Sequence, residues 1–96
     1  MKIYLSGAIT GVPNYREVFA AAEKVLTADG HVVINPAILP EGLGSHEQYM
    51  RICIAMLNET NAIMLLPGWN NSPGAKEELK YAYANCKRIL VWGDQI

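Results

Sequence analysis

Apolar residues recur along this chain with two alternating periods, one of strands and one of helices. Residues 2–6 are a short apolar run closed by Gly7 and read as a first strand. From Asn14 to Asp29 the residues Val18, Phe19, Ala22, Val25 and Leu26 return at helical spacing. Asn14 with Glu17 three positions on has the form of a capping box, and Gly30 is placed to end that helix. Residues 31–34 predict a second strand, followed by a loop over 35–44 that contains two prolines and two glycines. Ser45 and Gln48 form a second capping-box pattern, ahead of a stripe of Tyr49, Ile52, Cys53, Met56 and Leu57. Residues 61–66 are continuously apolar after Asn61, as a strand covered on both faces should be. A loop over 67–71 leads to Ser72 as a cap and Pro73 at the first helical position, with the helix running to about Asn85. Residues 88–92 predict a fourth strand.

Strand and helix thus alternate as βαβαβαβ, which predicts an α/β fold with a parallel sheet and right-handed helical crossovers. The three strand-to-helix loops begin at Gly7, Asn35 and Pro67 and emerge together at the carboxyl edge of the sheet, where open α/β sheets bind ligands. A sheet of four strands leaves exposed edges and a thinly covered face, so a homo-oligomer is expected.

Composition narrows the function classes. Ninety-six residues, 51% hydrophobic and 18% charged, are consistent with one globular domain spanning 1–96. No apolar stretch approaches the roughly 20 residues of a membrane span, and the N-terminus reaches Gly7 without a signal-peptide pattern, so a cytoplasmic protein with no membrane partner is expected. The net charge is −1 and the longest basic run is Lys87-Arg88, which argues against a nucleic-acid polymer as partner. Cys53 and Cys86 are the two cysteines; both fall on apolar helix faces and are expected to be buried, reduced thiols. Their spacing fits no metal motif, and no cofactor is expected.

The third helix carries the chemistry. At 100° per residue, Ala75, Leu79, Ala82 and Cys86 share one arc, Glu78 lies on its margin about 60° from Ala75, and Glu77 points into solvent. Glu78 is therefore placed to reach over the sheet's edge, behind a small-residue loop whose amides and helix dipole attract anions. Gly7 to Gly11, with Ala8, Ile9 and Thr10 between them, form a second loop whose glycines let backbone approach a ligand, although no Walker or dinucleotide fingerprint is present. An ordinary strand-to-helix turn accounts for that loop equally well. Tyr4 is a core residue whose hydroxyl needs a partner near that edge. Trp69, on the 67–71 loop, fits either base stacking at a cleft rim or a lid or dimer contact.

The stretch Tyr4-Leu5-Ser6-Gly7-Ala8-Ile9-Thr10-Gly11, together with Leu66-Pro67-Gly68-Trp69 and Ser72-Pro73-Gly74-Ala75 through Glu78-Leu79, resembles the nucleoside 2-deoxyribosyltransferase superfamily. It is most similar to a short branch of that superfamily and covers nearly the whole chain. The resemblance implies a flavodoxin-like, Rossmann-like three-layer sandwich with strand order 2-1-3-4. It further implies attack of Glu78 on C1′ of a nucleoside or nucleoside 5′-monophosphate, orientation of that acid by Tyr4, and loop positions Gly7, Ile9, Gly11, Ser72 and Gly74 around the sugar or its phosphate. Ser72 resembles the nucleotide-hydrolase branch, whereas Ala8 and Thr10 stand where that branch often has Ser or Pro, and Arg. Cys53 stands where the superfamily commonly carries an acid, and so does Asn61. Hydrolysis or base exchange is one implied activity; a non-catalytic module that binds or sequesters a nucleotide is the alternative.

Overall fold

The structure is a computed structural model that describes residues 1–93. Four strands, β1 (Lys2–Ser6), β2 (Val32–Ile34), β3 (Ala62–Leu65) and β4 (Arg88–Val91), form one parallel sheet in the order β2-β1-β3-β4. Three helices connect them: α1 (Tyr15–Ala28), α2 (His46–Asn58) and α3 (Pro73–Ala84). The α/β alternation and the expected order are both present. β1 pairs Tyr4 with Ile34 on one side and with Ile63 on the other. The chain moves outward from β1 to β2 and then crosses to β3, so the topological switch point lies between β1 and β3.

The strands' two-residue period sorts their side chains into two clusters. Ile3, Leu5, Ala62, Met64 and Leu66 pack with Phe19, Ala22 and Leu26 of α1. Tyr4, Ile63 and Leu65 pack on the opposite face with Cys53 and Leu57 of α2 and Ala82 of α3. The sheet is therefore the middle layer of three, with α1 alone on one face. Helix α1 is amphipathic along a narrower line than the sequence implies: Phe19, Ala22 and Leu26 are buried, while Val18 and Val25 are exposed. In α2 the buried residues are Met50, Cys53 and Leu57, and Ile52 is exposed, because the helix turns Met50 rather than Ile52 toward the sheet edge.

Local signals at the helix ends explain most boundaries. Ser45 accepts from the Gln48 backbone N–H at 3.2 Å while Gln48 Oε1 accepts from the Ser45 N–H at 2.8 Å, which closes the expected capping box. Gly44 makes room for it: at φ +116° it is left-handed, and a Cβ there would collide with the Gln48 amide. The pattern at Asn14 does not form a box. Asn14 has φ −107° and ψ 28°, makes no side-chain cap bond, and the entry to α1 is instead a succession of turns, with Val12 N–H donating to Ile9 O and Tyr15 N–H to Val12 O.

Cys86 corrects a second expectation. Helix α3 ends at Ala84, and Cys86 follows it at φ 58° in the left-handed position. Cys86 N–H donates to Tyr83 O and Lys87 N–H to Ala82 O, the paired bonds of a Schellman stop. The thiol is exposed, whereas Cys53 is buried as expected. Trp92 of the expected fourth strand lies one residue beyond β4. No helix among the described residues is long and apolar enough to cross a membrane.

Candidate functional site

A cleft of about 1030 Å³ opens at the carboxyl ends of β1 and β3. Three segments wall it. The first is the loop from Gly7 to Pro13; the second runs from Leu39 to His46 and continues into Tyr49 and Met50 of α2; the third is the start of α3 from Asn71 to Ala75. Tyr4 and Glu78 lie on its surface.

Glu78 is 5% exposed, deeper than its marginal helix angle alone implies. It stays satisfied because both carboxylate oxygens are held. Tyr4 Oη donates to Oε2 at 2.5 Å and Ser6 Oγ donates to Oε1 at 2.6 Å. Both donors come from β1, where residues two apart share a face. Ser6 does not line the cleft, so it grips the carboxylate from within the protein while Tyr4 and Glu78 face the opening. Each oxygen keeps lone-pair capacity beyond these single bonds.

Burial dominates the electrostatics. It lifts the Glu78 carboxyl from its ordinary 4.5 to about 6, against the opposing pull of the Ser6 and Tyr4 hydrogen bonds. Burial, with the Glu78 charge next, raises Tyr4 well above the usual phenol range. The Cys53 thiol adjoins Tyr4, Tyr49 and Glu78, and burial pushes it up to about 11. Tyr49 is raised too, chiefly by burial, and its hydroxyl reaches Pro36 O at 3.5 Å. The result is a carboxylate that ionises near neutrality among hydroxyls and a thiol that keep their protons.

The other loop residues divide by the reason for their conformation. Gly7 serves protein packing, since a Cβ there would press to 3.1 Å on Leu66 Cβ. Gly74 carries no such demand: a Cβ would meet Met50 Sδ at 3.4 Å and His46 Cε1 at 3.5 Å, ordinary contacts. Ala8, Ile9, Thr10, Gly11, Ser72 and Gly74 all line the cleft. Ser72 Oγ accepts from the Ala75 N–H at 3.1 Å, fixing the start of α3 beside the opening. His46 and Glu77 meet at the cleft's margin, Nε2 to Oε1 3.4 Å, both more than half exposed.

Trp69 is not among the lining residues. Gly68 turns the chain at φ 89°, Trp69–Asn71 forms a single 3-10 turn, and the indole packs half-buried on the cluster of Tyr4, Cys53 and Ile63. Asn71 takes the place at the cleft wall expected for the indole. Sequence reasoning missed Ser6 and the wall formed by Pro36, Leu39 and Tyr49. Ser6 had a signal, since strand alternation puts it on the face of Tyr4. Tyr49 had the misleading one of an apolar stripe. Among the described residues, no cluster of three or more His, Cys, Asp or Glu side chains could hold a metal.

Two solved structures share this architecture. The 2-deoxyribosyltransferase of the psychrotolerant bacterium Bacillus psychrosaccharolyticus is 24% identical, with a TM-score of 0.74 over 100% of this chain and 77% of that one. The 2-deoxyribosyltransferase of Leishmania mexicana is 20% identical, with a TM-score of 0.72 over 94% of this chain and 62% of that one. At such identities the likeness is one of fold, the fold that the two loop motifs imply. No curated protein matches the chain. The family model described as domain of unknown function DUF4406 matches residues 1–91, and the chain belongs to that family.

Proposed function

We propose that the protein breaks or exchanges the N-glycosidic bond of a nucleoside or nucleoside 5′-monophosphate, with Glu78 as the nucleophile. One observation carries this reading: a buried carboxylate with no cationic partner among the described residues, held through both oxygens by Tyr4 and Ser6, on the surface of a cleft at the switch point. A carboxylate kept only for stability is usually paired or exposed, because burying a charge opposes folding. Likeness of fold to two 2-deoxyribosyltransferases supports the same reading.

The proposed chemistry is a double displacement. A lone pair of Glu78 attacks C1′, the C1′–N bond breaks toward the base, and a glycosyl ester forms. Water or a second base then attacks C1′ as the ester C1′–O bond breaks and the carboxylate returns. The attacking group's proton ends on the departed base, and the configuration at C1′ is retained overall. Tyr4 and Ser6 fix the carboxylate so that no reorientation precedes attack. The amides at the start of α3, with Ser72 and Gly74, suit the sugar's 5′ end or its phosphate. The reading includes no cofactor, a cytoplasmic setting and a homo-oligomeric state, the last checked by analytical ultracentrifugation.

Incubation with nucleosides, deoxynucleosides and their 5′-monophosphates should release free base. Glu78→Gln should reduce that release by at least ~10³-fold, the scale expected on removing a covalent nucleophile. Undiminished release by the variant would remove Glu78 from the chemistry. A binding module that never cleaves is favoured by one feature, Cys53 at a position where the resembling superfamily often has an acid. Calorimetry showing tight binding of an uncleaved nucleotide, equally strong in Glu78→Gln, would establish that alternative.

A further inference from the structure

Departure of a nucleobase is half of any N-glycosidic reaction, and the cleft is poorly equipped to assist it. A neutral base leaves as an anion unless a proton reaches its ring, and a positioned general acid usually provides that proton. The groups gathered at Glu78 are Tyr4, Ser6, Cys53 and Tyr49. The Tyr4 and Ser6 protons are committed to Glu78 itself. Cys53 and Tyr49 hold their protons more tightly than in water, because burial disfavours thiolate and phenolate. Among the described residues no second carboxyl is hydrogen-bonded into this group; Glu77, whose charge also acts on Glu78, is turned to His46.

Charge around the opening points the same way. Among the described residues, the carboxyl and imidazole side chains that line the cleft are Glu41, His46 and Glu78. No lysine or arginine lines the cleft. Arg16 donates to the carbonyls of Ala37 and Leu39 and stands outside the lining. His46 is turned to Glu77 at the margin. Two acids in a lining that holds no lysine or arginine favour a positively charged ring.

We propose that this cleft takes a nucleoside whose base is already a cation, an N-glycoside of the pyridinium or 7-alkylpurine type, and that Glu78 displaces that base as a neutral molecule. The inference rests on the reading of Glu78 as nucleophile. A Glu78 oxygen forms the bond to C1′ as the C1′–N bond breaks, and that bond's electron pair cancels the charge on the ring nitrogen. Water then attacks C1′, the ester's C1′–O pair returns to Glu78, and one proton passes to solvent. No acid is needed at any point of base departure.

The test compares matched probes on the wild-type chain: 7-methylguanosine against guanosine, the same pair as 2′-deoxynucleosides, and nicotinamide riboside as a pyridinium case. Each rate is divided by spontaneous hydrolysis in the same buffer, which removes the greater intrinsic lability of cationic substrates. The expected acceleration is ~10²–10⁴-fold larger for the cationic members, the contribution of general acid catalysis that the neutral ones lack. Equal acceleration of neutral and cationic members overturns the inference while leaving the N-glycosidic reading intact. If neutral substrates are cleaved and His46→Asn abolishes only their cleavage, the imidazole is the acid and the inference also falls. Release from neither class overturns the inference together with the reading beneath it.

Discussion

The two faces of β1 differ in kind although they alternate residue by residue. Ile3 and Leu5 enter a cluster of apolar side chains with Phe19, Leu26 and Met64. Tyr4 and Ser6 enter the other face, and both end on a carboxylate that is 5% exposed. The first face removes hydrocarbon from water and stabilises the fold. The second buries a group whose ionised form burial opposes, offset by two hydroxyl donors. On the proposed reading, stability and reactivity are separated by the thickness of one strand, and substitutions on the apolar face should move the first without the second.

The largest effect belongs to the apolar face. Ile3 is 0% exposed and pairs with Val33 and Ala62 on either side. Ile3→Ala should cost ~2–5 kcal/mol, read as a lower urea midpoint with unchanged slope. The protein that remains folded should keep the same acid limb in its pH–rate profile. A displaced limb would mean that the faces are coupled.

Ser6→Ala tests the reverse. It removes a 2.6 Å donor to Oε1, and hydrogen bonds to charged groups contribute ~1.5–3 kcal/mol to the ionised form. The carboxylate should then ionise at higher pH than about 6, so the acid limb of kcat/KM shifts upward. KM should change little, because Ser6 does not line the cleft, and Ser6→Thr should restore the limb. A change in KM alone would assign Ser6 to packing rather than to positioning Glu78.

Glu78 also makes stability depend on pH. Its folded-state value, about 6, exceeds its ordinary 4.5, so the folded protein holds this proton more tightly than the unfolded chain does. The stabilisation is complete below about 4.5 and is lost as pH rises through about 6. At ~1.4 kcal/mol for each tenfold change in proton affinity, the difference is on the order of 2 kcal/mol. Unfolding free energies measured from pH 4.5 to 7.5 should therefore fall more in the wild type than in Glu78→Gln. Parallel curves would show that burial does not oppose this carboxylate.

Sheet order, helix positions and the depth of the acid were unequally legible. Alternation of strand and helix periods carried the three-layer architecture, because Phe19, Leu26, Cys53 and Leu57 announce their faces by spacing alone. The strand order came from the resemblance of two motifs, since periodicity does not choose between arrangements. Helix angle places Glu78 at the sheet's edge, and the need of a buried hydroxyl for a partner places Tyr4 near it. Ser6 escaped because a serine at a strand end also suits a turn. Trp69 stands off the cleft lining and Cys86 off the apolar helix face for a shared reason: each follows or occupies a left-handed position, at Gly68 and at Cys86 itself, where the chain reverses and spacing does not predict direction.

The smallest effect separates the helices that serve the two faces. Helix α1, on the apolar face, begins without a side-chain cap at Asn14. Helices α2 and α3, which deliver Tyr49, Cys53 and Glu78, begin on Ser45 and Ser72, each accepting a backbone N–H. A capping serine typically stabilises by ~1 kcal/mol. Ser45→Ala should therefore lower stability by about that amount, and Asn14→Ala should change it by no more than a few tenths. Since Ser45 and Gln48 also brace the wall that leads to Tyr49, the Ser45 variant should lose ligand affinity as well as stability. Equal losses in the two variants would mean that α1 is anchored at Asn14 after all, and that the better-fixed starts of α2 and α3 have no bearing on the cleft.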